Sequence, residues 1–196
     1  MKKTTKNVLK SMLLLACMLV SFSVACPAEE TGSKRFMVTA GVNLFNSTSA
    51  DYRQIYGPAV LMPELKITAK AYRNFTLWGS FAMISKDGYI EEVEEDTHIN
   101  QTLLGFGLGY AHDLSAKLRL RGELGMTYIR FKEDALNLTQ KGSGLGWKIG
   151  ANLDYFINKR LFAMLTAAYC SASDEIENNK IKLGGFQAGI GLGFAF

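Results

Sequence analysis

Cysteine is nearly missing from this 196-residue chain. There are three, and Cys17 lies in the N-terminal apolar run, so at most Cys26 and Cys170 remain in the body. That excludes a disulfide framework. An excess of one charge is also missing from the body. Lys2, Lys3, Lys6 and Lys10 account for the whole net charge of +4, which leaves 18 basic and 18 acidic side chains in residues 26–196. A neutral body does not fit nucleic-acid binding, which needs a basic face. Histidine is limited to His98 and His112. Long apolar runs are absent beyond residue 25, which excludes a bundle of membrane helices. Internal repeats, linkers and a second domain are not discernible.

The N-terminus carries the one long apolar run. The four lysines precede SMLLLACMLVSFSVA, residues 11–25, which is shorter than the roughly 20 residues of a spanning helix. Small residues follow at Ser23, Ala25 and Ala28. This is the layout of a secretory signal peptide, with cleavage after Ala25 or after Ala28. Residues 26–34 then form a short tail. Cys26 raises lipidation as a competing fate, but Ser23 stands where a branched aliphatic is usual, and simple cleavage is the preferred reading.

What fills the rest of the chain is alternation. In the last segment Phe186, Ala188, Ile190, Leu192, Phe194 and Phe196 share one parity, with Gln187 and glycines on the other. A period of two is a strand with one apolar face. The same pattern predicts strands at about 35–46, 61–72, 75–84, 101–111, 118–131, 145–156, 161–171 and from 181. The parity of the seventh is ambiguous, so the direction of Cys170 stays open. Connections alternate between long (Ser47–Gly57, Lys86–Asn100, Lys132–Gly144, Ala172–Lys180) and short (Arg73–Asn74, His112–Lys117, Asn158–Lys159). Strands that hide apolar residues at every second position, joined by alternating loops, predict an all-β, closed, antiparallel eight-stranded transmembrane up-and-down barrel over residues 35–196. Four hairpins are too few for a propeller of four-stranded blades. Aromatics near the strand ends (Phe75, Tyr110, Tyr155, Phe194 and Phe196 by the short turns; Tyr128, Trp147 and Tyr169 by the long loops) supply two interfacial girdles.

The segments GFGLGYAHDLSAKLRLRGELGMTYIRFKE and GGFQAGIGLGFAF resemble the small outer-membrane barrels of the OmpA/OmpX/Ail and opacity-protein type, over about residues 35–196. The resemblance implies an outer-membrane location with both termini periplasmic. It implies contact with outer-membrane lipid and lipopolysaccharide, and monomeric behaviour. It also implies that Phe194 and Phe196 are read by the barrel-assembly machinery. A peptidoglycan-binding domain, carried by many OmpA proteins, has no counterpart here. The expected role is envelope stabilisation or surface presentation for adhesion to host molecules, without enzyme chemistry, cofactor or metal.

Several polar residues bear on that role. Glu64, Lys66, Lys70, Arg119, Arg121, Glu123, Lys148 and Asp154 have inward parity and predict an internal ion-pair network. If Tyr110 pairs with Leu118, Gly109, Gly107 and Gly105 lie opposite Arg119, Arg121 and Glu123 and give them room. Such a network can line a narrow gated ion pore. It can equally plug the lumen, since eight strands enclose little more than side chains, and the plug is the preferred reading. The acidic stretch Asp87–Asp96, with Glu91, Glu92, Glu94 and Glu95, could bind calcium or a basic host surface. It lacks the ligand spacing of a calcium loop, so a solvated outer loop is expected. His98 and His112, at opposite ends of strand four, lie roughly 45 Å apart and cannot share a site. A deacylase-type His–Ser pair at the rim is not supported, because Asn100 stands near His98. Trp78 points inward, for core filling rather than sugar stacking. The rival fold is a soluble lipocalin-like carrier. It would turn the apolar face inward around a ligand and place Lys66, Lys70 and Arg119 in water.

Overall fold

The computed structural model describes residues 35–90, 94–135, 138–176 and 179–196. The signal-type segment 1–25, the tail 26–34, Cys26, Glu91 and Glu92 lie outside the described residues. The elements are β1 (Phe36–Ser47), α1 (Ala50–Tyr56), β2 (Val60–Tyr72), β3 (Phe75–Ile90), β4 (Glu95–Asp113), β5 (Leu118–Ala135), β6 (Leu138–Phe156), β7 (Leu161–Ile176), β8 (Asn179–Lys182) and β9 (Gly185–Ala195). Successive strands from β1 to β8 pair antiparallel, and β9 pairs with both β7 and β1, which closes the sheet into a barrel. β8 and β9 hold the same register against β7: Ser173 faces Lys182, and Cys170 faces Gly185. Together they form the eighth strand, interrupted at Leu183–Gly184.

Several strands outrun expectation. β4 and β6 have 19 residues each and β5 has 18, against about 9–11 needed to cross hydrocarbon. The segments 86–100 and 132–144, expected as loops, are mostly paired strand. Tyr89 faces Asp96 and Ile90 faces Glu95, so the acidic stretch is largely a hairpin rather than a loose loop. The first long connection, also expected as a loop, contains α1. Ser49 caps it by accepting a hydrogen bond from the Tyr52 amide at 3.4 Å, and Gly57 ends it at φ +90°, a conformation that favours glycine.

The two faces of the wall exchange polarity along the strands, and β5 shows how. Its outward side chains read Leu120, Leu124, Met126 and Tyr128, all well exposed, and then Arg130 and Lys132. Its inward side chains read Arg121, Glu123 and Thr127, and then Ile129 and Phe131, all buried. Toward the short turns the barrel is therefore oily outside and ionic inside. Toward the long hairpins it has a dry core and a polar surface, as a water-soluble protein does. The apolar outer band is wide: Leu124 is 61% exposed and Ile190 66%. A continuous apolar surface of that kind marks a face that meets something other than water. Paired aromatics sit at both edges of the band, Phe75 edge-on to Tyr110 at 5.4 Å and Trp147 tilted against Tyr169 at 5.4 Å between ring centroids.

Candidate functional site

The lumen of the short-turn half is built from the inward parity of β1, β2, β5 and β6. Lys66 on β2 reaches across to β5, with Nζ 2.8 Å from Glu123 Oε2, and also donates to Asn152 Oδ1 on β6 at 3.2 Å. Arg121 grips Asp154 with two parallel bonds, Nε to Oδ2 at 2.7 Å and Nη2 to Oδ1 at 3.0 Å. Its Nη1 donates to Thr68 Oγ1 at 3.1 Å and to Glu123 Oε1 at 3.3 Å. Lys148 donates to Glu64 Oε1 at 3.0 Å, and Glu64 Oε2 accepts from Asn43 at 2.8 Å. Three cations and three anions thus close on one another, and all six are buried. A buried charge stripped of its partner costs several kcal/mol, so matched signs are what this interior requires.

Trp78 stacks beside the network. Its ring centroid lies 5.9 Å from Lys66 Nζ and 5.8 Å from Lys148 Nζ, and its indole N–H donates to the Leu108 carbonyl at 3.0 Å. The tryptophan is buried and inward, as its parity predicts. The glycines of β4 and β5 make space for it. A Cβ on Gly105 would lie 2.9 Å from Trp78 Cζ3, and one on Gly125 2.7 Å from Cζ2.

Two of the eight predicted network members are elsewhere. Lys70 is exposed at the short-turn rim. Arg119 is at the same rim, where it pairs with Asp113 at 2.6 Å and its guanidinium lies 5.2 Å from the Phe156 ring. Both have inward parity, but parity sets direction and not depth, and each lies within two residues of a strand end. The expected β4–β5 register is also corrected. Tyr110 faces Gly122, not Leu118, because β4 continues to Asp113 and the turn is Leu114–Lys117. Gly109 therefore faces Glu123, Gly107 faces Gly125, and Gly105 faces Thr127.

The sequence reading missed what lies toward the long hairpins. Phe45, Met62, Ile84, Leu103, Ile129 and Phe131 belong to a buried apolar cluster that fills the barrel there. Cys170 belongs to it too, which settles the facing of β7: its Sγ accepts from Gln187 Nε2 at 3.4 Å. α1 crosses the mouth from the β1–β2 side. Tyr52 packs edge-on against Phe45. Tyr56 bonds Thr97 Oγ1 at 3.0 Å on β4 and donates to the Glu133 carboxylate on β5. Burial and the Glu133 carboxylate push the Tyr52 and Tyr56 hydroxyls above their ordinary pKa. The signal for α1 was present, since Ser49 is followed by Tyr52, Ile55 and Tyr56 at helical spacing.

His98 pairs with Asp87 at 2.6 Å on the outer wall of the β3–β4 hairpin, and its Nε2 lies 3.4 Å from Ser85 Oγ, so a His–Ser pair does stand at this rim, supplied by β3 rather than by position 100; His112 is exposed beside the β4–β5 turn. Among the described residues no three His, Cys, Asp or Glu side chains converge as a metal-binding set. The burial of Lys66 and the exposure of Leu124 decide against the soluble carrier, although the apolar filling near the long hairpins is the interior such a carrier would have.

Comparisons agree with this architecture. The family model of the outer membrane protein β-barrel domain matches residues 14–194. Neisserial surface protein A superposes with a TM-score of 0.63 at 10% identity, over 85% of this chain and 100% of that one. Ail, the attachment invasion locus protein of Yersinia pestis, gives 0.57 at 17% identity, over 84% and 100%. OprG of Pseudomonas aeruginosa gives 0.59 at 17% identity, over 84% and 96%. At such identities the likeness shows the fold. No curated protein sequence matches.

Proposed function

The chain belongs to the outer membrane protein β-barrel domain family, and from that premise we propose that it is a sealed, non-enzymatic barrel that holds its long hairpins out as a presented surface. The observation that carries this reading is the double closure of the lumen. A charge network with no spare ion fills one half. An apolar cluster lidded by α1 fills the other. A gated ion pore would need a continuous polar route, and Phe45, Met62, Ile129 and Phe131 stand in it. In this reading the short turns and both termini face the periplasm, as short turns do in barrels of this type. Phe194 and Phe196 serve the assembly machinery, the girdles meet lipid and lipopolysaccharide, and the barrel works as a monomer.

The presented surface is rigid, because paired strand extends beyond the outer girdle. Ail has been crystallised with sucrose octasulfate, a heparin analogue. On the β3–β4 hairpin of this chain, acidic side chains outnumber basic ones, so a basic host surface is the better match. Planar-bilayer recording of the purified protein tests the sealed lumen: flat current is expected, and unitary steps would overturn it. Replacing residues 89–96 by a tight turn, which leaves Thr97 and the buried Ile99 in place, tests presentation. Attachment to host cells should fall while outer-membrane abundance is unchanged, and undiminished attachment would overturn it.

A further inference from the structure

The short-turn end of the barrel is lined by exposed basic side chains. At the short-turn end, Arg35 precedes β1, Arg73 sits in the β2–β3 turn, Lys117 in the β4–β5 turn, and Lys159 and Arg160 in the β6–β7 turn. All five are exposed. Among the described residues, the exposed acidic side chain at this end is Asp113, and Arg119 already holds it at 2.6 Å. The far end is mixed: on the β3–β4 hairpin Asp87, Glu94, Glu95 and Asp96 accompany a single lysine, Lys86, while Arg130, Lys132 and Lys141 are exposed on the β5–β6 hairpin. With equal numbers of both signs in residues 26–196, the basic rim is a matter of placement, not of composition.

The depth of these cations identifies a partner. Each turn adjoins an outward aromatic of the girdle: Phe75 follows Arg73 and Asn74, while Tyr155 precedes the turn that holds Lys159 and Arg160. Phe75, Tyr110 and Tyr155 are all about half exposed on the apolar band. Such rings settle at the boundary between hydrocarbon and headgroups. The Arg73 guanidinium stacks over the exposed Tyr72 ring at 5.1 Å, which keeps its charge at that boundary. A circle of Lys and Arg at headgroup depth is complementary to a phosphodiester with net negative charge. We propose that the short-turn rim binds the anionic phospholipids, of the phosphatidylglycerol type, in the leaflet it reaches. Calling that leaflet periplasmic rests on the orientation proposed above; the binding itself does not.

The test uses the full chain in bilayers of phosphatidylcholine with a minority of phosphatidylglycerol, reading the lipid immobilised at the barrel with spin-labelled versions of each. Beside a basic side chain the anionic lipid should be favoured about fivefold. Raising the salt should erase the preference, since surface charges are screened. The combined variant Arg73→Gln, Lys117→Gln, Lys159→Gln, Arg160→Gln should lose it. A control with Lys86→Gln, Arg130→Gln and Lys141→Gln at the other end should keep it. Equal binding of the two lipids by the unaltered protein overturns the proposal. So does a preference that survives high salt or the rim variant. If the combined variant does not fold, Lys117→Gln and Lys159→Gln alone must each weaken the preference, and no weakening overturns it equally. Orientation is read separately, by labelling Lys117→Cys in intact cells with an impermeant thiol reagent. Labelling there would sink the periplasmic assignment and leave the lipid result standing.

Discussion

Lys66 Nζ lies 2.8 Å from Glu123 Oε2, an ion pair that ties β2 to β5 across the lumen, with both side chains buried. The ionic half of the lumen is arranged around this tie and its neighbour Arg121–Asp154, with Lys148–Glu64 completing it. Removing one partner should be far worse than removing both. Lys66→Ala or Glu123→Ala leaves a buried charge facing an incomplete set and should cost about 3–5 kcal/mol. The double variant Lys66→Met, Glu123→Leu should recover most of that loss. Urea unfolding in lipid vesicles checks the pair. Single variants that lose less than the double would show that the charges are not coupled.

The apolar band predicts a depth profile. Leu124 sits well inside it, while Leu120 is two residues from the start of β5 and faces His112. Leu124→Arg should cost about 2–4 kcal/mol and Leu120→Arg only about 0–1 kcal/mol, the difference between the bilayer midplane and its edge. Vesicle refolding equilibria measure both. Equal costs would mean that the band is not aligned with hydrocarbon in the way the girdles indicate.

Trp78 predicts the role of the β5 glycine. A Cβ at Gly125 would clash first with the Phe106 backbone carbonyl oxygen, and would meet Gly107 Cα and Trp78 Cζ2 at 2.7 Å each. Gly125→Val should therefore overpack the lumen by about 1–3 kcal/mol and shift Trp78 emission in a Trp147→Phe background. An unchanged spectrum at unchanged stability would mean that the ring has room to move. By contrast, Gly122 has open space around it, and Gly122→Ala should be tolerated.

Alkaline pH should loosen the α1 lid. Burial and the bonded Glu133 carboxylate raise the Tyr56 hydroxyl above its ordinary value of 10.0. A hydroxyl that resists ionisation in the folded state adds stability that is complete below about pH 10, and the gain is lost as pH rises toward the folded value. Proteolysis near Arg53 should accelerate in that window and not in the acid range. Tyr56→Phe should weaken the dependence, and Tyr52→Phe with Tyr56→Phe should remove it, since burial raises both hydroxyls. A rate that stays flat to high pH would contradict it.

The barrel itself was legible because alternation is local: Leu124, Met126 and Tyr128 declare an outward face without knowledge of any partner. The long-hairpin half was not, for a physical reason. Beyond Tyr128 the alternation continues but its polarity reverses, with Arg130 and Lys132 outside and Ile129 and Phe131 inside, so a strand that leaves hydrocarbon reads as a strand that ends. The pairing of Lys66 with Glu123 was foreseeable from parity and barrel closure. The displacement of Lys70 and Arg119 to the rim was not, since depth depends on register, and the β4–β5 register depends on a four-residue turn after Asp113. α1 is only seven residues long, and its capping pattern in a long connection carries little weight until the mouth it covers is known.

Lipid wets the apolar wall, and the ionic lumen is shut away from it. The chain's two tryptophans face opposite ways, which makes quenching by brominated lipid the most direct test. In bilayers with bromine along the acyl chains, Trp147 in a Trp78→Phe variant should be strongly quenched. Trp78 in a Trp147→Phe variant should be nearly untouched. Strong quenching of Trp78 with Trp147 spared would turn the wall inside out and contradict the account.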